Sequence, residues 1–189
     1  MPKQRITKEM VVDAAFELAR QGGMEQVIVK NIAEKLGCSV QPIYSYCNNM
    51  DELRNDVENK VRSFLQNYIA AHIDKNDLFR STGHAYLQLA KEEPHILKIF
   101  ILQKRENVST LDDLYNLEAN TQIPKTIANE LKISVENAKQ LHLNMLIYTI
   151  GIGTIFSITT PGIALNEIYA QQEIAYKAFL KQALDYGMQ

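Results

Sequence analysis

Apolar residues in this chain recur at the three- and four-residue spacing of one helix face almost everywhere. Nowhere do they alternate with the period of two, bounded by turn residues, that a half-buried strand requires. That pattern commits the chain to an all-α fold. Caps and breakers divide it into elements. Thr7 is the expected N-cap of a first helix that carries Val11, Ala14, Ala15 and Leu18 to a stop at Gly22-Gly23. Val29, Ile32, Ala33 and Leu36 stand at i, i+3, i+4 and i+7 in a short second helix, which meets Gly37 where the backbone must turn with positive φ. A third helix puts Val40, Ile43, Tyr44 and Cys47 at the same offsets, with Pro42 in its first turn and Ser39 as N-cap to the Gln41 amide. A long helix over about 51–72 opens on Asp51 and Glu52 and carries Leu53, Val57, Val61, Phe64 and Tyr68 on one face. Beyond it the punctuation predicts helices near 77–92, 94–105, 110–119, 122–132, 134–159 and 164–186. Pro94 and Pro124 fall in first turns, Ser134 with Asn137 opens a long helix, and Pro161-Gly162 ends it.

Residues 29–48 fit a helix-turn-helix: Ala33 where the helices cross closely, Gly37 at the turn, and Ile43 with Ile32 in the small core between them. Such a unit holds one helix proud of the surface, where it can enter a DNA major groove. The wider stretch ITKEMVVDAAFELARQGGMEQVIVKNIAEKLGCSVQPIYSYCNNMDEL resembles the TetR family of bacterial transcriptional regulators over roughly residues 5–57. Ala14-Ala15, the Gly before the second helix, Ile32-Ala33, Gly37, Tyr44 and Leu53 carry the likeness. The resemblance implies an N-terminal three-helix DNA-binding unit, taken as residues 1–50. A larger helical effector-binding and dimerisation domain, 51–189, would follow. It also implies a homodimer that grips palindromic operator DNA and represses until a small molecule moves the heads apart.

Carried over by position, Ser39, Val40 and Gln41 are the expected readers of base edges and Tyr44 the donor to a phosphate. Tyr46, Lys30 and the basic arm of Lys3 and Arg5 are supporting phosphate contacts. Three positions depart from the family pattern. Ile28 stands where a Thr or Ser often caps the second helix, Cys47 where a Phe is usual, and Met50 where a Lys begins the fourth helix. Asn48 and Asn49 can partly replace the lost donors, and Asn49 can also cap the fourth helix. These departures motivate an alternative: a TetR-like ligand-sensing or partner-binding dimer with weakened or absent DNA binding.

In the remainder, an effector pocket should be mostly apolar with a few orienting polar groups. The candidates are Phe79, His84, Tyr86, Phe100, Gln103, Tyr115, His142, Met145, Tyr148 and Thr149. No Asp, Glu, Lys or Arg lies between Gln140 and Asn166, which points to a neutral or apolar ligand unless Lys104 or Arg105 turns inward to meet an anion. For dimerisation, Gly151 and Gly153 permit close helix approach, and Ile168, Gln172, Ala175, Phe179 and Ala183 are spaced for a packed face. The two helices resemble the pair that forms a four-helix bundle across the family dimer; the alternative is that both serve only an intrachain core.

Composition narrows the other classes. With 20 Lys and Arg against 22 Asp and Glu, the net charge of −2 excludes binding to nucleic acid or anionic membrane by bulk charge. Two cysteines, Cys38 and Cys47, are too few for a disulfide scaffold and lack zinc-motif spacing, so a reducing, cytoplasmic setting is expected. The N-terminus has no apolar signal run, and Gln140, His142, Asn144, Thr149 and Pro161 interrupt the uncharged stretch, favouring a buried helix over a membrane span. His72, His84, His95 and His142 form no HExxH or paired-ligand motif, so neither an enzyme nor a metal or cofactor is expected.

Overall fold

Local chemistry sets most of the helix ends in the computed structural model, which describes residues 6–46, 49–74, 76–119, 122–158 and 163–185. Among them stand α1 (Lys8–Gly22), α2 (Val29–Leu36), α3 (Gln41–Tyr46), α4 (Met50–His72) and α5 (Leu78–Glu92). These are followed by α6 (Pro94–Leu102), α7 (Leu111–Glu118), α8 (Ile123–Leu131), α9 (Val135–Ile158) and α10 (Leu165–Asp185), and no strand occurs among the described residues. The all-helical expectation holds. The Thr7 hydroxyl accepts the Met10 amide at 3.2 Å, Asn49 Oδ1 accepts the Glu52 amide at 2.7 Å, and Ser134 Oγ accepts the Asn137 amide at 3.1 Å. Each satisfies an amide that has no partner within its own helix. Thr110 and Asp113 exchange the reciprocal bonds of a capping box at the start of α7. Pro94 and Pro124 occupy first turns, where a missing N–H costs nothing.

Two ends differ from the sequence reading. The Val40 carbonyl accepts the amides of Ile43 at 3.1 Å and Tyr44 at 3.3 Å, so α3 begins at Gln41 and Val40, not Ser39, holds the cap position. The helix at 94 stops at Leu102 because Gln103 turns to an extended conformation, φ −58° and ψ 130°. The Gln103 side chain is then taken up by Glu58, at 2.8 Å, and by Arg62.

The chain forms two compact units: Met1–Ala71 with Glu92–Gln103, and His72–Lys91 with Lys104–Gln189. In the first, Val11, Ala15, Ile32, Ile43, Leu53, Val57, Val61 and Ile96 are buried, drawing α1, α2, α3, α4 and α6 onto one core. Each large aliphatic side chain so buried contributes about 1.5–3 kcal/mol. Arg20 of α1 donates from Nε to both carboxylate oxygens of Glu93, at 3.0 and 2.9 Å, and its guanidinium lies 5.2 Å from the centre of the Phe64 ring. This fork ties α1 to the start of α6. Lys8 to Asp56, at 2.8 Å, and Lys60 to Asp13 brace α1 against α4.

The second unit is built on α9, which packs between α8 and α10 around Ile127, Ala138, Leu141, Met145, Tyr176 and Ala183. Asn137 Nδ2 donates to the Ala183 carbonyl at 2.8 Å and closes the start of α9 onto α10. By length and composition alone α9 could cross a membrane, a test that a core helix also passes.

Candidate nucleic-acid interface

The turn between α2 and α3 is a Schellman motif. The Gly37 amide donates to the Glu34 carbonyl at 3.1 Å and the Cys38 amide to the Ala33 carbonyl at 3.0 Å, with Gly37 at φ 62° and ψ 33°. A Cβ at Gly37 would meet nothing within 4 Å. Glycine is therefore favoured here by the left-handed backbone and not by space. The turn aims α3 so that Ile43 is fully buried, with Ile32 likewise buried on α2.

With Ile43 turned inward, the rest of α3 and its approach face solvent. Ser39, Gln41 and Ser45 are exposed, as are Val40 at 44% and Tyr44 at 60%, while Tyr46 is half-buried. Ser45 Oγ donates to the Gln41 carbonyl at 3.1 Å, spending its proton inside the helix. Ile28 precedes α2 in extended conformation, 43% exposed, and caps nothing with its side chain. Asn31 helps instead, its Nδ2 donating to the Gln26 carbonyl at 3.1 Å across the preceding 3-10 turn, Met24–Gln26. Met50 is the first residue of α4, and Asn49 caps that helix. Lys3, Arg5, Cys47 and Asn48 lie outside the described residues. Cys38 is a half-buried free thiol.

Lys30 is exposed on α2. Among the described residues of the first unit, Lys30 and Lys35 are the two cations without an ion pair, side-chain hydrogen bond or ring contact. Lys8, Arg20, Arg54, Lys60 and Lys98 are paired with carboxylates and Arg62 with Gln103. Lys35 was not singled out by the sequence pattern. Its exposure depends on which face of an eight-residue helix is buried.

The ten residues expected to line a pocket divide between the units. Phe100 and Gln103 belong to the first, where Phe100 is buried under Arg62 and Gln103 is bound to Glu58. The other eight belong to the second. There the Tyr115 hydroxyl and His142 Nδ1 are 2.8 Å apart, and Phe79 stands edge-on to His142 at 5.8 Å and against Tyr176 at 5.6 Å. Burial pushes Tyr115 up to about 12 and His142 down to about 4. Tyr115 is thus held protonated beside a neutral imidazole, and the two share one hydrogen bond. Met145 belongs to the core, Tyr148 donates to the Gln171 carbonyl at 3.3 Å, and burial raises Tyr86. His84 stacks on Tyr169 at 4.2 Å, and burial lowers its pKa against the pull of Asp77 and Glu173.

Thr149 joins a residue placed in the dimer set. Gln172 Nε2 donates to Thr149 Oγ1 at 3.0 Å, while Gln172, 3% exposed, keeps a buried Oε1 without a hydrogen-bond partner. Gly83 of α5 faces this amide, and a Cβ there would fall far inside contact distance of Nε2. The sequence signal was one polar residue inside an apolar stripe. Ile168, Gln172 and Ala183 are buried within their own unit, and Ala175 and Phe179 are half-buried, Phe179 against the core. A side chain already covered by its own chain has little surface to lend a partner. Gly153 is buried as well, whereas Gly151 is exposed. Gly151 lies on a stripe with Ile147, Ile155 and Ile158 of α9, all exposed, and Ile174 is exposed on α10 between Ala170 and Ala178.

Comparison with known proteins adds three findings. Residues 11–57, from within α1 to the second turn of α4, match the model of the bacterial regulatory proteins of the tetR family. An uncharacterized HTH-type transcriptional regulator of Bacillus subtilis (strain 168), YobS, is 25% identical over 105 residues, which make up 54% of this chain and 55% of that protein. The chain therefore matches over about half the length of this curated relative. The crystal structure of a TetR-family transcriptional regulator from Haemophilus influenzae RD, HI0893, aligns with a TM-score of 0.56 over 90% of this chain and 94% of the other. At 18% identity it establishes a shared fold.

Proposed function

From the match of residues 11–57 to the tetR-family model and the shared fold of a TetR-family regulator, we propose that the chain belongs to that family and is a sequence-specific DNA-binding regulator of transcription. It acts in the cytoplasm as a homodimeric repressor, not as an enzyme. The observation that carries the reading is the disposition of α3. One buried residue, Ile43, anchors it, the Gly37 turn aims it, and Ser39, Val40, Gln41 and Tyr44 are left on its open side. That is the geometry of a helix presented to a major groove. Tyr44 and Lys30 serve as phosphate contacts, Tyr46 and Asn49 support them, and Lys3, Arg5 and Asn48 keep the same role from the sequence pattern.

The effector is a neutral small molecule received by the second unit. Support comes from four uncharged polar groups inside that unit, His142 held neutral, Tyr115 held protonated, Thr149, and the Gln172 amide with its unused acceptor, while the largely buried Arg105 and Glu118 neutralise each other. A charged ligand would be desolvated there without a counter-charge. Dimerisation uses the apolar stripes left open on α9 and α10, at Ile147, Gly151, Ile155 and Ile174. Lysine at Ile155 and Ile174 together should give folded monomers in sedimentation analysis; a dimer persisting in that variant would refute the face.

The deciding experiment is binding of the purified protein to DNA flanking its own gene, at two salt concentrations with unrelated DNA as competitor. Specific binding that weakens in Tyr44→Phe with Gln41→Ala establishes the operator reading. No specific binding at either salt would refute it and favour a ligand-sensing dimer with a silent head.

A further inference from the structure

We propose that the reading face of this head recognises thymine methyl groups and adenine edges, so that the base pairs lying under α3 in each operator half-site are A·T. The inference rests on the operator-binding reading above and adds the chemistry of the bases.

The first support is what α3 lacks. No Lys or Arg occurs between Lys35 and Arg54, and no Asp or Glu between Lys35 and Asp51. The usual specific contact to guanine is a bidentate Arg or Lys on O6 and N7, and cytosine is read by a carboxylate accepting from N4. Neither is available from this helix. Of the other cations of the described unit, Arg20, Arg54 and Lys60 are engaged by Glu93, Asp51 and Asp13, and the uncommitted Lys30 and Lys35 stand on α2, outside the reading helix.

The second support is what it presents. Gln41 is exposed, and a glutamine amide offers one donor and one acceptor to adenine N7 and N6. Of the large hydrophobic residues exposed in the described first unit, Ile28, Val40 and Tyr44 stand at the approach to α2 and along α3, with Leu102 alone elsewhere. Val40 and Tyr44 stand one helical turn apart, so their apolar surface opens on the same side of α3. The apolar group that a major groove offers is the C5 methyl of thymine. Val40, β-branched and immediately ahead of Gln41, is placed to meet a methyl next to the adenine that Gln41 reads.

The test begins with selection of bound sequences from a random duplex DNA library by the full-length protein, followed by affinity measurements on the selected duplex with deoxyuridine replacing thymine, position by position. Deoxyuridine keeps base pairing and removes only the methyl. We expect half-sites with A·T pairs at their centre and a loss of about fourfold in affinity at the thymine facing Val40. Val40→Ala, which alters an exposed side chain and should leave the fold intact by circular dichroism, should bind the thymine and deoxyuridine duplexes equally. A selected site with essential G·C pairs under α3, or deoxyuridine without effect at every position, overturns the inference while operator binding stands. A library that yields no enriched sequence overturns both.

Discussion

Replacing Lys30 by Gln should flatten the salt dependence of operator binding by an amount that follows from the charges the head has left free. Each phosphate neutralised contributes about −0.9 to the slope of log K against log salt. If Lys30 and Lys35 are the uncommitted cations of the described head, two protomers neutralise up to four phosphates and the slope is about −3.6. Lys3 and Arg5, if both engage, double that count and bring it to about −7. Lys30→Gln removes one contact per protomer and so lowers the magnitude by about 1.8. Between 50 and 200 mM KCl, the wild type should then lose about 12 times more affinity than the variant. Fluorescence anisotropy of a labelled operator duplex across that range reads both slopes. An unchanged slope in Lys30→Gln would remove this lysine from the interface. A wild-type slope well beyond −7 would mean that cations such as Arg54 leave their carboxylates for DNA, contrary to the charge count.

Other consequences follow from the packing and the titrating groups. Ile43→Ala empties a fully buried position between α2 and α3 and should cost about 2–5 kcal/mol in urea unfolding, with operator binding lost in proportion. Gly83→Ala should displace Gln172 and break its bond to Thr149, costing about 1–3 kcal/mol; adding Gln172→Ala should recover part of that loss, and strict additivity would refute the contact. His142 has a folded pKa of about 4 against an ordinary 6.5, so the unfolded chain binds the extra proton between those values. Its contribution is present above pH 6.5 and is lost as pH falls toward 4, a change of about 3 kcal/mol at most. Urea midpoints at pH 7.5, 6 and 5 should fall in the wild type and fall less in His142→Phe.

What the sequence made legible was mostly local. Thr7, Asn49, Ser134, Pro94 and Pro124 act on amides within one turn of themselves, so the helix ends they mark can be read without knowing the tertiary structure. The same holds for Gly37, whose conformation is dictated by two bonds to the preceding turn. Ser39 misled because Ser39 and Val40 compete for one cap position, and the helical bond from Tyr44 decides between them. Allocation of faces was not legible. α10 carries one apolar series through Ile168, Tyr176 and Ala183 and another apolar position at Ile174, and spacing alone does not say which side its own chain will cover. Gln172 looked like an interface residue until Thr149 supplied its partner from another helix. Phe100 and Gln103 looked like pocket residues because nothing near them in sequence reveals that α6 returns to the core of α1–α4.

That return of α6 makes the head discontinuous along the gene. A break after residue 71, where the long fourth helix ends and a recombination event would cut most simply, leaves behind Glu93, Ile96 and the rest of the segment that completes the first core. Such a fragment would keep every residue proposed to face DNA yet leave Arg20 without its carboxylate and an apolar wall open to water. New binding specificities in this lineage should therefore arise by point changes along α2 and α3, on a surface free to vary, more readily than by exchange of whole N-terminal segments between relatives.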